Sequence, residues 1–117
     1  MIINLDYQSR TPIYEQIVLE VERYVALGIL KPEEQIPPIR EMATELGINP
    51  NTVKKAYSIL ENKGVIVTIS TKGTYIAYDT GKIVEEKINS KINELKVIIE
   101  ELKKLGLSEE EIIKEIK

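Results

Sequence analysis

The sequence predicts an α+β fold that is mainly α-helical: three helices and a β-hairpin, followed by a C-terminal two-helix segment. Three observations support this prediction. Apolar residues recur at helical spacing in three N-terminal stretches, two strand-like runs flank a turn with glycine, and the last third of the chain combines helical periodicity with a lack of proline. We expect one domain over residues 1–79 and a helical segment over residues 80–117.

Composition restricts the possible functions. The 117 residues include 16 Lys plus Arg and 19 Asp plus Glu, a net charge of −3, and they contain neither cysteine nor histidine. This excludes zinc sites built on Cys or His, Ser-His-Asp triads and cysteine nucleophiles. We therefore expect no enzyme activity, no metal and no cofactor. The sequence shows neither a signal peptide nor an apolar run long enough to span a membrane, so we expect a cytoplasmic protein without a membrane partner.

The first helix is predicted over residues 12–28, with Thr11 as N-cap, Pro12 as the first helical residue and Gly28 just beyond the end. Its apolar residues at helical spacing are Ile13, Ile17, Leu19, Val21, Tyr24, Val25 and Leu27. The following stretch ILKPEEQIPP holds three prolines. It is predicted to be a connector with at most one short extended piece, around Gln35 and Ile36.

The second and third helices are short and closely spaced. The second has apolar residues at positions i, i+3, i+4 and i+7 and is closed by Gly47, and the third starts at Asn49-Pro50 and ends at Gly64. Their predicted inward residues are Ile39, Met42, Ala43 and Leu46, then Val53, Ala56, Tyr57 and Leu60. Two such helices joined by a short turn with glycine form a helix-turn-helix unit.

The hairpin follows directly. The runs VIVTI and TYIAY, separated by STKG, are typical of two strands around a polar turn. A helix, a helix-turn-helix and a hairpin in this order predict a winged helix-turn-helix.

The C-terminal segment has the pattern of a helix that needs a partner. Its apolar residues step by 4, 4, 3, 4 and 3, which keeps one narrow stripe on one side of a helix. Gly106 ends this helix, and Ser108 with Glu111 forms a capping box for a last short helix. We predict a homodimer interface made of Val84, Ile88, Ile92, Leu95, Ile99 and Leu102, together with Ile112, Ile113 and Ile116.

The charge distribution favours nucleic-acid binding modestly. Residues 40–78 carry five basic and three acidic side chains, whereas residues 1–39 carry three basic and six acidic ones. The N-terminal turns of a recognition helix face base edges, and here they carry Asn49, Asn51, Thr52, Lys54 and Lys55. Taken singly, each of these is equally well explained as a cap or as part of a solvated face. Lys72 is likewise either an ordinary turn residue or a wing residue that reaches DNA phosphate or the minor groove.

The stretch from PIYEQI at Pro12 through IPPIREMATELGINPNTVKKAYSILENKGVI to TKGTYI resembles the winged-helix domain of the GntR family of bacterial transcriptional regulators. The resemblance implies operator contacts at Arg40, at Asn49, Pro50 and Asn51, at Lys54, and at Lys72 and Gly73. The chain departs from the family pattern at Pro38, where a capping serine is usual, at Pro50, where many members have arginine, and at Thr71, where a glycine is common.

The short C-terminal segment resembles the YtrA-like members of this family. That resemblance implies a homodimeric repressor that binds double-stranded operator DNA with an inverted repeat. The alternative left open is a winged-helix module that binds another protein without binding DNA. A small-molecule effector stays undetermined, because two helices of one chain enclose no pocket of the required size.

Overall fold

The computed structural model describes residues 2–117, which form five helices and one three-stranded antiparallel sheet. In chain order the elements are α1 (Ile13–Ala26), β1 (Gln35–Ile36), α2 (Ile39–Leu46), α3 (Pro50–Asn62), β2 (Ile66–Ile69), β3 (Gly73–Ile76), α4 (Thr80–Lys104) and α5 (Glu109–Ile116). The predicted fold class is confirmed. The chain divides into two compact units, one up to Val84 and one from Glu85 to Lys117. The predicted domain boundary at residues 79 and 80 stays a prediction.

The first unit has one apolar core, to which α1, α2, α3 and the sheet all contribute. The predicted inward stripe of the third helix is confirmed, since Val53, Ala56, Tyr57 and Leu60 are all buried. On α1 the buried residues are Ile17, Val18 and Val21. Leu19 and Leu27 share the predicted helical spacing but stay 49% and 61% exposed. The face that α1 turns to the core runs through Val18 instead.

The start of α1 differs from the prediction. Pro12 occupies the N-cap position with an extended ψ of 150°, and no side chain caps the helix, so the assignment of Thr11 as N-cap is wrong. Gln16 stabilises this end instead. Its side-chain amide donates to the carbonyl oxygens of Thr11 and Asp6 at 2.8 Å, and its oxygen accepts from the Asp6 N–H. The segment before α1 is thereby attached to the first helical turn.

The sheet has the strand order β1-β3-β2. The short extended piece predicted around Gln35 and Ile36 is confirmed as β1, and it pairs with β3 so that Gln35 lies opposite Tyr75. On the other side of β3, Val67 lies opposite the same tyrosine. Gln35, Tyr75 and Val67 therefore form one row across the three strands, with Tyr75 in the middle. This row joins the hairpin to β1.

In the second unit, Gly106 ends α4 with a φ of 106°, and the predicted capping box of Ser108 and Glu111 starts α5. Lys103 lies 2.6 Å from Glu109, and this ion pair lowers the pKa of the Glu109 carboxyl. Ile112 is buried within the single chain, at 4% exposure. None of the helices within residues 2–117 combines the length and the apolar composition that a membrane crossing requires.

Candidate nucleic-acid interface

The turn between α2 and α3 is set by local sequence. Gly47 adopts a left-handed φ of 67°, which glycine adopts without strain, and this ends α2. Two residues later, the side-chain oxygen of Asn49 accepts the backbone N–H of Asn51 at 2.8 Å. Pro50 occupies the first helical position, as predicted. Because the cap uses the oxygen of Asn49, its side-chain NH2 group is left as a donor that can face a ligand.

The predicted contact residues of the helix-turn-helix lie at the surface. Arg40 is exposed in the first turn of α2, which starts at Pro38 without a side-chain cap. The predicted contact residues at the start of α3 are exposed, except for Thr52, which is half-buried. They are Asn49, Pro50, Asn51, Thr52, Lys54 and Lys55. The buried stripe of α3 faces the other way, so the helix offers these groups without disturbing the core.

Lys54 and Lys55 differ in their surroundings. The ammonium of Lys55 lies 3.9 Å from the ring centroid of Tyr14 on α1, within the range of a cation–π contact. An exposed contact of this type contributes about 0.5–1 kcal/mol, so Lys55 also helps to fasten α3 to α1. Lys54 is exposed and lines the groove described below. The spacing of polar residues on the third helix did not separate the two lysines, since nothing in the local sequence points to Tyr14.

Tyr57 fixes α3 against the segment that precedes α2. Its hydroxyl donates to the carbonyl oxygen of Pro37 at 2.6 Å. Burial raises the pKa of this hydroxyl above its ordinary value, and the carboxylates of Glu45 and Glu41 add to the effect. The periodicity predicted a buried Tyr57, but it gave no indication of the acceptor.

An open groove of about 460 Å³ lies between α3 and the hairpin, which we call the wing. Lys54 and Ser58 line it from α3, and Thr68 and Thr71 line it from the wing. An ammonium and three hydroxyl groups are donors suited to phosphate and sugar oxygens. Glu61 also lines the groove and adds one negative charge.

The tip of the wing carries Lys72, whose side chain is exposed. The next residue, Gly73, has a φ of 126°, and a Cβ placed on it would lie only 2.7 Å from the Gln35 side chain. No other residue type fits there without moving its neighbours. The DNA contact that the resemblance assigns to Gly73 stays a prediction. In the structure, Gly73 allows the wing turn to pack against Gln35 of β1.

Comparisons with known proteins agree with this geometry. The model of the family described as "Bacterial regulatory proteins, gntR family" matches residues 13–76, which is more than half of the chain. The chain belongs to the GntR family. It is 41% identical to the HTH-type transcriptional repressor YtrA of Bacillus subtilis (strain 168), over 97% of this chain and 91% of that protein. The resemblance to the YtrA-like members is confirmed.

Several solved structures resemble this GntR-family chain, and two of them are informative here. A transcriptional regulator from Oenococcus oeni superposes with a TM-score of 0.78 at 38% identity, covering 96% of this chain and 93% of that one. The AraR DNA-binding domain in complex with operator ORX1 matches with a TM-score of 0.56 at 25% identity, covering 63% of this chain and 92% of that one. The chain is a DNA-binding transcriptional regulator, and its relatives are transcriptional regulators rather than enzymes.

Proposed function

We propose that this regulator represses transcription by binding an inverted-repeat operator as a homodimer. In each half-site α3 lies in the major groove and the wing contacts the neighbouring sugar-phosphate backbone. The observation that carries the proposal is the grouping of exposed donors at the start of α3, with Lys54 across an open groove from the wing.

The side chains of α3 indicate which bases are read. The amide of Asn51 suits adenine, the NH2 group of Asn49 suits a base or phosphate acceptor because its oxygen caps α3, and Lys54 suits guanine or a phosphate. Pro50 carries no side-chain donor, so the arginine contact common at this position in the family is missing. We therefore expect a half-site in which A·T pairs contribute more than G·C pairs. The similarity to the AraR domain, solved with its operator, supports this placement of α3.

The dimer is proposed to form through the apolar stripe of α4. Ile88, Ile92 and Leu95 retain 55%, 45% and 46% of their accessible surface, and Val84, Ile99 and Leu102 are half-buried. Ile98, which the sequence analysis did not include, borders the stripe and is 52% exposed. A second copy of the chain buries this surface, and a two-fold axis then presents two copies of α3. Ile113 and Ile116 are exposed on α5 and extend the surface, whereas Ile112 supports it from inside the chain.

The test compares two substitutions that make the same change in charge. Lys54→Glu places a carboxylate at the proposed DNA surface, and Lys114→Glu places one on α5. Binding to a labelled fragment of the protein's own upstream DNA is measured by fluorescence anisotropy at one fixed salt concentration. We expect Lys54→Glu to abolish binding and Lys114→Glu to retain it. Equal binding by both variants would exclude α3 as the recognition helix, and a wild-type protein without DNA affinity would favour the protein-binding alternative.

A further inference from the structure

The backbone of Lys72, at the tip of the wing, is held on both sides. Its N–H donates to the carbonyl oxygen of Ile69 at 3.0 Å, which closes the turn. Its own carbonyl oxygen accepts from the hydroxyl of Tyr75 at 3.1 Å and from the side-chain amide of Gln35 at 3.4 Å. The lysine side chain stays exposed. The charged end is therefore free to reach DNA while the peptide that carries it is fixed.

The two donors come from paired strands of the sheet, Gln35 from β1 and Tyr75 from β3. Gln35 and Tyr75 are opposite each other in the pairing of β1 with β3, and β3 is the central strand. Both side chains also pack beside Gly73, where a Cβ would meet the Gln35 amide at 2.7 Å and the Tyr75 ring at 3.9 Å. The pair thus connects the tip of the wing to the middle of the sheet.

The turn needs such support because it is strained. Thr71 is β-branched and has a φ of 69°, a left-handed conformation that costs free energy for any residue other than glycine. Strained backbone of this kind persists only where the surrounding structure fixes it. The hydrogen bonds on either side of Lys72 provide that restraint directly beside Thr71.

We propose that Tyr75 and Gln35 are positioning residues: they fix the wing turn and thereby hold Lys72 at the DNA, without touching DNA themselves. This rests on the proposed function. A lysine on a fixed turn loses less conformational entropy on binding than one on a mobile turn, so its phosphate contact adds more affinity. The contribution of the pair is independent of DNA sequence, because a phosphate contact carries no base information.

The first test uses Tyr75→Phe, which removes one hydroxyl and keeps the ring. The matched control is Tyr78→Phe, since Tyr78 is 78% exposed and its hydroxyl has no hydrogen-bond partner among residues 2–117. We expect Tyr75→Phe to weaken binding by up to about fivefold per wing, the factor of one ordinary hydrogen bond, on operator and on unrelated DNA alike. Gln35→Ala acts in the same direction with a smaller effect, because its bond is longer.

Salt dependence and a double-mutant cycle distinguish positioning from direct contact. Tyr75→Phe keeps the slope of log affinity against log salt, because the phosphate contact still forms, whereas Lys72→Ala flattens it. In a Lys72→Ala background, Tyr75→Phe should have no further effect on affinity. An additive loss in that background, or a flattened slope for Tyr75→Phe alone, would overturn the proposal.

A measurement without DNA separates this proposal from the proposed function. Amide hydrogen exchange of Lys72 is followed by NMR in the free protein. We expect exchange about fivefold faster in Tyr75→Phe than in wild type and unchanged in Tyr78→Phe. Equal exchange in Tyr75→Phe and wild type overturns the positioning role, whereas a wild-type protein that binds no DNA overturns only the proposed function.

Discussion

Replacing Ile92 and Ile99 with aspartate is expected to separate the proposed dimer into monomers. Ile92 is 45% exposed in the single chain, so in the proposed dimer the partner chain would cover about half of its surface. Full burial of an isoleucine contributes about 1.5–3 kcal/mol, so covering the exposed half contributes about 1 kcal/mol. With four substituted positions in a dimer, the lost burial costs about 4 kcal/mol, roughly a thousandfold in the dimer dissociation constant. Desolvation of the carboxylates weakens the dimer further.

Sedimentation equilibrium at micromolar concentrations measures this change directly. The matched control is Asn93→Asp with Val97→Asp, which adds two carboxylates per chain on the roughly opposite side of α4. Val97 is 59% exposed, so the control also removes exposed apolar surface from α4. We expect the control to remain a dimer. If the Ile92 and Ile99 variant dimerises as tightly as wild type, or only the control dissociates, the stripe on α4 is not the interface.

Four further outcomes follow from the winged-helix unit. Lys72→Ala should weaken binding to all DNA sequences equally and flatten the salt slope by roughly 1.8 per dimer, at about 0.9 per phosphate contact; a loss confined to operator DNA would contradict this. Asn49→Ala removes the acceptor of the Asn51 N–H, so denaturant titration should show about 1 kcal/mol less stability. Thr71→Gly should raise the free energy of unfolding by about 1 kcal/mol, because glycine adopts the positive φ freely; calorimetry showing a lower midpoint would refute the strain. Tyr57→Phe leaves the Pro37 carbonyl without its donor and should cost about 1–2 kcal/mol. The pKa of Tyr57 is raised in the folded state, whereas in the unfolded chain this hydroxyl ionises at its ordinary value of 10.0. The wild-type protein should therefore lose stability as the pH rises above 10.0. This part of the loss should be absent in Tyr57→Phe.

The elements that the sequence predicted well are those set by neighbouring residues. The cap of Asn49 on the Asn51 N–H, the left-handed Gly47 and the capping box of Ser108 with Glu111 all join groups within three or four positions of the chain. Such short-range hydrogen bonds depend on few other parts of the fold, so the residue types alone indicate them. Gly47 and Asn49 fix where α3 begins, and that is why the exposed face of α3 was also predictable.

The contacts that sequence reasoning missed are those between distant segments. Nothing near Lys55 indicates the Tyr14 ring, and nothing near Gln35 indicates its pairing with Tyr75. Leu19 shares the helical spacing of the other apolar residues of α1, but the packing of this helix leaves Leu19 exposed and buries Val18. In each case several local arrangements satisfy the same periodicity, and only the assembled core selects one of them. The exposure of the candidate DNA contacts was therefore predictable, whereas the contact of Lys55 with the Tyr14 ring was not.

Hydroxyl-radical footprinting of the operator tests the central claim most directly, since it depends on α3, the wing and the dimer together. A symmetric dimer should protect two half-sites of an inverted repeat, with centres about one helical turn, roughly 34 Å, apart or at a related spacing. The Lys54→Glu variant should protect neither half-site under the same conditions. A single asymmetric protected half-site at full occupancy, or an unchanged footprint with Lys54→Glu, would contradict the account.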